Sequence, residues 1–314
     1  MGDAAGDLAR SAEHAFGDLT DSVASADARW LLLGVLLHLT NQLARGLGWC
    51  AVIRIACPGA PVRRRDTVGA WVAGAGAGGV VSARGGDAVR LLLVRPRMPD
   101  GGVAVLAGTL VAEAAGEAAV GAALIVFAVV AGVLPGLAFP APAIVLAGAA
   151  AVAVVCIVVR RSGRGANVMR GAAAVRSPAR YARTVLPWQL ASRAARAAAI
   201  GCFLVAFGLP ATTTAILLVM LAQGGGRVVP LAPASVGAGA AILTASFGSM
   251  TGATVDPANL VAFFVGTSAV LTAVGIALAL VICVRSLGRP ALLSPWAARR
   301  AAAQLPQLTS RRSA

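Results

Sequence analysis

The chain has 314 residues, 58% of them hydrophobic and 12% charged, with a mean hydropathy of +0.83. That balance excludes an ordinary soluble domain and suits one polytopic membrane domain of roughly seven helices at about 20 residues per span. The net charge of +15 comes from 27 basic residues, all arginine. They cluster in short loops between apolar runs, which is the pattern of cytoplasmic membrane loops and not of a nucleic-acid surface.

Residues 1–29 differ in kind from the rest. Asp3, Asp7, Glu13, Asp18, Asp21 and Asp27 face only Arg10 and Arg29 there. A signal peptide needs a basic start and an apolar core, so an acidic extension without chemistry is expected. Apolar runs then predict an all-α integral membrane bundle over 30–285. The membrane segments fall at 30–53, a short glycine-rich 67–83, 102–131, 142–159, 185–209, 211–229 and 258–284, with a broken stretch at 230–248. Residues 286–314 form an arginine-bearing tail. The absence of lysine beside abundant alanine, glycine and valine indicates a GC-rich bacterial genome, and the helical bundle is expected to be a multi-pass protein of the cytoplasmic (inner) membrane.

Arginine counts set the sides. The 160–184 loop, with Arg160, Arg161, Arg164, Arg170, Arg176, Arg180 and Arg183, belongs in the cytoplasm, and so does the tail. Loops 132–141 and 249–257 contain no arginine and face outward. Loops 54–66 and 84–97 are both basic, which conflicts with a full crossing by 67–83. A re-entrant 67–90 removes the conflict, because irregular backbone at membrane depth is tolerated where protein walls surround it.

The third segment carries Glu113 and Glu117, the only charges between Gly101 and Val159. A carboxylate at bilayer depth costs about 3 kcal/mol on insertion scales. At i and i+4 the two also repel each other, so a proton or an arginine must answer them. Candidates for that cation are Arg84, Arg90, Arg193 and Arg196. Two further helices carry polar stripes: His38, Asn41, Gln42 and Arg45 on the first segment, and Gln189, Ser192, Arg193 and Arg196 on the fifth. Their i, i+3, i+4, i+7 spacing puts each set on one face. Interhelical hydrogen bonds alone would explain one stripe. Three stripes with both charge signs indicate a hydrated interior groove.

Other apparent signals carry no chemistry. Cys50, Cys57, Cys156, Cys202 and Cys283 form no C-x-x-C pair, and His14 and His38 have no zinc spacing, so no metal or cofactor is expected. Gly74 to Gly79 satisfies G-x-G-x-x-G, but inside a membrane-like run that leads into Arg84. Asp100, at about the right distance for the acid of a dinucleotide site, sits between Pro99 and Gly101 in a turn. Pro233-Ala234-Ser235-Val236-Gly237 lacks the first glycine of a nucleophile elbow.

The run Ser82-Ala83-Arg84-Gly85-Gly86-Asp87-Ala88-Val89-Arg90 resembles the P-x-R-x-G-E-x-x-R signature of the flippase-like membrane family that includes the transmembrane region of lysylphosphatidylglycerol synthase. Val111 to Glu117 is similar to that family's E-R-x-x-D helix, and Pro230 to Gly237 to its P-x-x-P-G-G-x-G segment. Order and spacing agree over about 30–290. Departures are Ser82 for proline, Asp87 for glutamate, Ala114 for arginine, Glu117 for aspartate, Ala234 and Ser235 for glycines, and Ala240 where a glutamate is common. The missing arginine beside Glu113 leaves Arg193 or Arg196 to take its role.

The resemblance implies lipid translocation of an anionic phospholipid or polyprenyl-phosphate head group, without enzymatic activity. Arg84, Gly85, Gly86, Asp87, Arg90, Glu113, Glu117, Arg193 and Arg196 would form the head-group groove. Arginine forks suit phosphate, and the glycine pair lets backbone approach it. Pro230, Pro233 and Gly237 would form a broken helix beside it. The alternatives are a non-transporting membrane partner of an envelope glycosyltransferase and a membrane-embedded transferase. Membrane lipids are the expected partners, with a glycosyltransferase or a second copy of the chain as further ones and no nucleic acid.

Overall fold

The computed structural model describes residues 26–80, 83–98, 102–130, 132, 165–225 and 232–287. The segment expected at 142–159, most of the acidic extension and most of the tail lie outside them. All regular structure among the described residues is helical, in ten α-helices without a strand. They are α1 (Ala28–Ala56), α2 (Arg64–Val80), α3 (Ala83–Val94), α4 (Gly102–Val130), α5 (Gly165–Gly171), α6 (Pro178–Thr184), α7 (Leu186–Ala206), α8 (Thr213–Gly225), α9 (Ala232–Thr251) and α10 (Pro257–Leu287). Short 3-10 turns at Arg95–Arg97 and Ala172–Arg176 follow α3 and α5.

Two of these helices, α4 and α10, are long and apolar enough to cross a membrane. Only 6% of the apolar stretch of α10 is buried within the chain, so its apolar side chains look outward, as a lipid-facing helix requires. Helix α1 has the same 29-residue length as α4. Its polar stripe lowers its hydropathy, and Asp27 caps its start by accepting the Arg29 backbone N–H at 2.9 Å.

Helix α1 is the hub. Ser192 on α7 donates to Asn41 at 2.8 Å, and the Asp27 N–H reaches the Ala206 carbonyl at 2.9 Å. Trp71 on α2 donates to Gln42 at 3.1 Å, while Gly46 accommodates Val68. Trp49 donates to Thr109 on α4 at 3.0 Å. In these contacts rising numbers on α1 meet falling numbers on α2 and α7, and Arg45 and Trp49 meet α4 in the same reversed order, so all three run antiparallel to it.

Helices α2 and α3 fold back on each other as a hairpin. Gly74 lies against the Gly86 carbonyl, and Gly86 against Gly74 and Gly78. Without a side chain at any of the three, the backbones meet directly. Arg97 clasps Asp66 at 3.0 Å across the open end. On another side of α2, Gly76 meets the Gly275 carbonyl and Gly69 faces Ile282, which sets α10 antiparallel to α2.

One end of the bundle therefore collects Arg54, Arg64, Arg95, Arg97, Arg183 and Arg285, and the other holds Asp27, Gly208 and Asp256. The two basic loops that conflicted in sequence lie on the same end because the chain between them is a hairpin. Residues 84–94 are not loop; they form its second arm. The 165–184 part of the expected loop is also helical and packed, with Gly171 seated on Gly108 of α4.

A core of Phe203, Leu204, Val219, Leu243, Phe247 and Phe263 joins α7 to α10. A second, of Trp49, Ile53, Trp71, Val94 and Leu106, fills the space under the hairpin. The broken stretch expected at 230–248 is one continuous helix over its described part, α9 (Ala232–Thr251); Pro230 lies outside the described residues. Pro233 occupies the first turn of α9, where proline costs no hydrogen bond, and Gly237 lies within the same helix.

Candidate functional site

Arg45 lies in the interior of α1 (Ala28–Ala56), about 26 Å of helix from its start and about 17 Å from its end at about 1.5 Å per residue. Its guanidinium meets both glutamates of α4: Nη2 is 2.6 Å from Glu117 Oε1 and 3.6 Å from Glu113 Oε1. Arg90 approaches from α3, 3.8 Å from Glu113 Oε2, and also pairs with Asp87 one turn back on its own helix. Arg193 approaches from α7, 4.0 Å from Glu117 Oε2, and donates to the Glu117 backbone carbonyl at 3.2 Å. Four helices thus deliver three arginines and three carboxylates to one depth.

Accessibility is graded across this cluster. The Glu113 side chain is 9% exposed and Arg45 14%, whereas Arg193 is 25% and Asp87 44%. The glutamate–arginine centre is shut in, and the Asp87 edge is open. A cavity elsewhere, beside Thr244, Asp256 and Leu260 at the α9–α10 turn, is lined by one carboxylate and no cation. No cluster of metal-ligating side chains occurs among the described residues.

Aromatic and amide groups hold the arginines in place. Arg90 stacks on Trp71 with Cζ 4.0 Å from the ring centroid, and Arg45 lies 4.8 Å from the same ring. Such contacts contribute about 0.5–2 kcal/mol each where water is excluded. Trp49 meets Trp71 edge-on at 6.1 Å. Gln42 accepts the Trp71 indole N–H and hydrogen bonds to His38 at 3.1 Å. Tyr181 of α6 lies against Gly116 of α4 and accepts from Gln189 at 2.9 Å. Burial pushes the Tyr181 hydroxyl up to about 12, offset in part by that hydrogen bond. Two buried polar atoms lack a hydrogen-bond partner among the described residues: Arg45 Nε and Gln189 Oε1.

Of the residues singled out in sequence, Asp87, Arg90, Glu113, Glu117 and Arg193 converge. Gly86 belongs to the hairpin contact with Gly74, next to that convergence. Arg196 instead bonds Gln223 of α8 at 2.8 Å. Arg84 and Gly85 lie in the first turn of α3, at the closed end of the hairpin; the Arg84 side chain is outside what is described. The residue missed as a counter-ion was Arg45. Its place in the first polar stripe was the available signal, but which face of α1 meets α4 follows from three-dimensional register. Trp71 also went unremarked, and no feature of its sequence neighbourhood distinguishes it from a core aromatic.

Paired arginines at membrane depth can exchange carboxylate for another oxyanion, such as a phosphate diester, through the same N–H donors. Residues 8–279 match the family described as Lysylphosphatidylglycerol synthase TM region, and the chain belongs to that family. A search of curated proteins finds no match.

Proposed function

From that membership, which makes this a membrane protein, we propose that the chain translocates a lipid with an anionic head group, a phospholipid or a polyprenyl phosphate, across the bacterial cytoplasmic membrane. The observation that carries the reading is the Arg45–Glu113–Glu117 cluster at mid-bundle depth. Charges are costly there on insertion scales, at about 3 kcal/mol each, and occur mainly at pathways and binding sites. Arg90 and Arg193 supply forked donors on either side, and Asp87 opens the cluster outward. Apolar tails would stay in the bilayer along the exposed side chains of α4 and α10 while the head passes the arginines. In this reading the basic end of the bundle is cytoplasmic and the chain is multi-pass, with Arg84 meeting the head group near the closed end of the hairpin.

The test is translocation of a fluorescent anionic phospholipid in vesicles holding the purified protein, compared with empty vesicles and with Arg90→Ala. Faster exchange than in empty vesicles, lowered at least tenfold by Arg90→Ala in folded protein, is expected. Exchange equal to empty vesicles removes the reading.

A second reading is favoured by the pairing itself. Each of the three arginines already contacts a carboxylate, as charges serving only helix assembly would. On this account the chain is a non-transporting membrane partner of an envelope enzyme. Variants would then lose folded protein without any translocation to lose.

A further inference from the structure

The ion cluster is balanced. Arg45, Arg90 and Arg193 face Asp87, Glu113 and Glu117, so an anionic head group cannot take an arginine without leaving a carboxylate behind. In a site this enclosed an uncompensated carboxylate is expensive, and neutralisation by a proton is the ordinary response. We infer that binding of an anionic head group at this cluster is coupled to uptake of one proton by Glu113. The inference rests on the lipid-binding reading above and specifies how that site is driven.

Geometry selects Glu113 over its neighbours. Glu117 is gripped by Arg45 at 2.6 Å and backed by Arg193. Asp87 is directly paired with Arg90 and is close to half-exposed, so water can support its charge. Glu113 is the most enclosed of the three, and its two arginine contacts, 3.6 and 3.8 Å, both exceed hydrogen-bond length. It is the carboxylate held least and hidden most. A phosphate diester drawing Arg90 toward itself removes one of its two cations, while Arg45 stays with Glu117. Beside it, Gln189 approaches the Glu113 backbone carbonyl at 3.5 Å and keeps a buried, unpartnered acceptor oxygen. A protonated carboxyl brings a donor into that neighbourhood.

Other ionisable groups facing α4 do not substitute for this proton. From α1, His38 is engaged with Gln42. From α7, Arg196 is engaged with Gln223. Tyr181 of α6 stays protonated throughout the physiological range. Arg95, Arg97, Arg170 and Arg176, on the segments packed against the first turns of α4, are exposed and not enclosed with Glu113. The balance is one proton from water onto Glu113 as one phosphate monoanion displaces it from arginine, and the same proton back to water when the head group leaves. If the two exchanges occur on opposite sides, a proton gradient drives the lipid.

Calorimetric titration of the detergent-solubilised full chain with a short-chain phosphatidylglycerol, in two buffers of different ionisation enthalpy, counts the protons. About one proton taken up per lipid bound is expected for the wild type near neutral pH, and about none for Glu113→Gln at matched folded fraction. Lipid binding by the wild type with no net proton uptake overturns the coupling and leaves the head-group site standing. Uptake unchanged in folded Glu113→Gln overturns the assignment to Glu113. Absence of any lipid binding removes the head-group site, and the coupling with it.

Discussion

Arg97 and Asp66 close the open end of the α2–α3 hairpin, Nε to Oδ2 at 3.0 Å, and Asp66 also accepts the Arg63 backbone N–H at 3.2 Å. One carboxylate thereby caps the start of the first arm and ties down the end of the second. Both basic stretches flanking the hairpin must then face the same compartment. Single cysteines at Gly59, Arg95 and Arg180, in a cysteine-free background, are expected to resist a membrane-impermeant thiol reagent in intact cells. Cysteines within 132–141 and at Asp256 should react. Labelling of Gly59 and Arg95 from opposite sides would sink the hairpin topology.

Removing Arg45 should be the most damaging single change in the cluster. Arg45→Ala leaves the buried Glu113 and the half-buried Glu117 with only the longer contacts to Arg90 and Arg193, and breaking a buried pair costs about 3–5 kcal/mol. Arg45→Leu combined with Glu113→Gln and Glu117→Gln should recover much of that loss, because no uncompensated charge remains. Thermal unfolding in detergent, read by the fraction surviving size exclusion, distinguishes the two. Equal losses in both variants would show that packing, not charge, sets the stability there.

The segment limits were legible because hydropathy records lipid contact residue by residue. The expected 102–131 and 258–284 agree closely with α4 and α10, and 185–209 contains α7. The hairpin was legible only indirectly, through two basic loops that could not lie on opposite sides. Register was not legible. Whether Glu113 meets Arg45, Arg193 or Arg196 depends on how glycines such as Gly46 and Gly108 let backbones settle, and a helical stripe fixes a face without fixing its partner. For the same reason the 165–184 stretch read as loop: its short helices are held by Gly171 against Gly108, a contact with no periodic signature.

Gly275→Leu should detach α10 from the hairpin. A β-carbon at Gly275 would lie 3.2 Å from the Gly76 Cα, and one at Gly76 would collide with the Gly275 carbonyl, so a branched side chain has no room without backbone movement. Overpacking typically costs about 1–3 kcal/mol, and more where the obstacle is backbone. Disulfide trapping between Gly69→Cys and Ile282→Cys in a cysteine-free background reports the contact. Undiminished cross-linking in Gly275→Leu would show that the helices can slide apart and still pack.

Tyr181 gives a pH dependence with a definite sign. Its folded value, pushed up by burial to about 12, exceeds the ordinary value near 10 for an exposed tyrosine. Its stabilising contribution is complete below pH 10 and is lost as pH rises from 10 to 12. Tyr181→Phe removes the hydrogen bond from Gln189, worth about 1 kcal/mol, and should flatten the alkaline limb of stability between those values. An alkaline limb identical in wild type and variant would contradict the buried hydroxyl.

Two guanidinium groups within 5 Å of one indole ring have a practical consequence. The emission of an indole shifts with the charges nearest to it, and any oxyanion that draws Arg90 or Arg45 off Trp71 changes that local field. The chain therefore carries its own optical reporter at the centre of the bundle. With the other tryptophans replaced, occupancy of the arginines can be followed in real time without attaching a dye to lipid or protein.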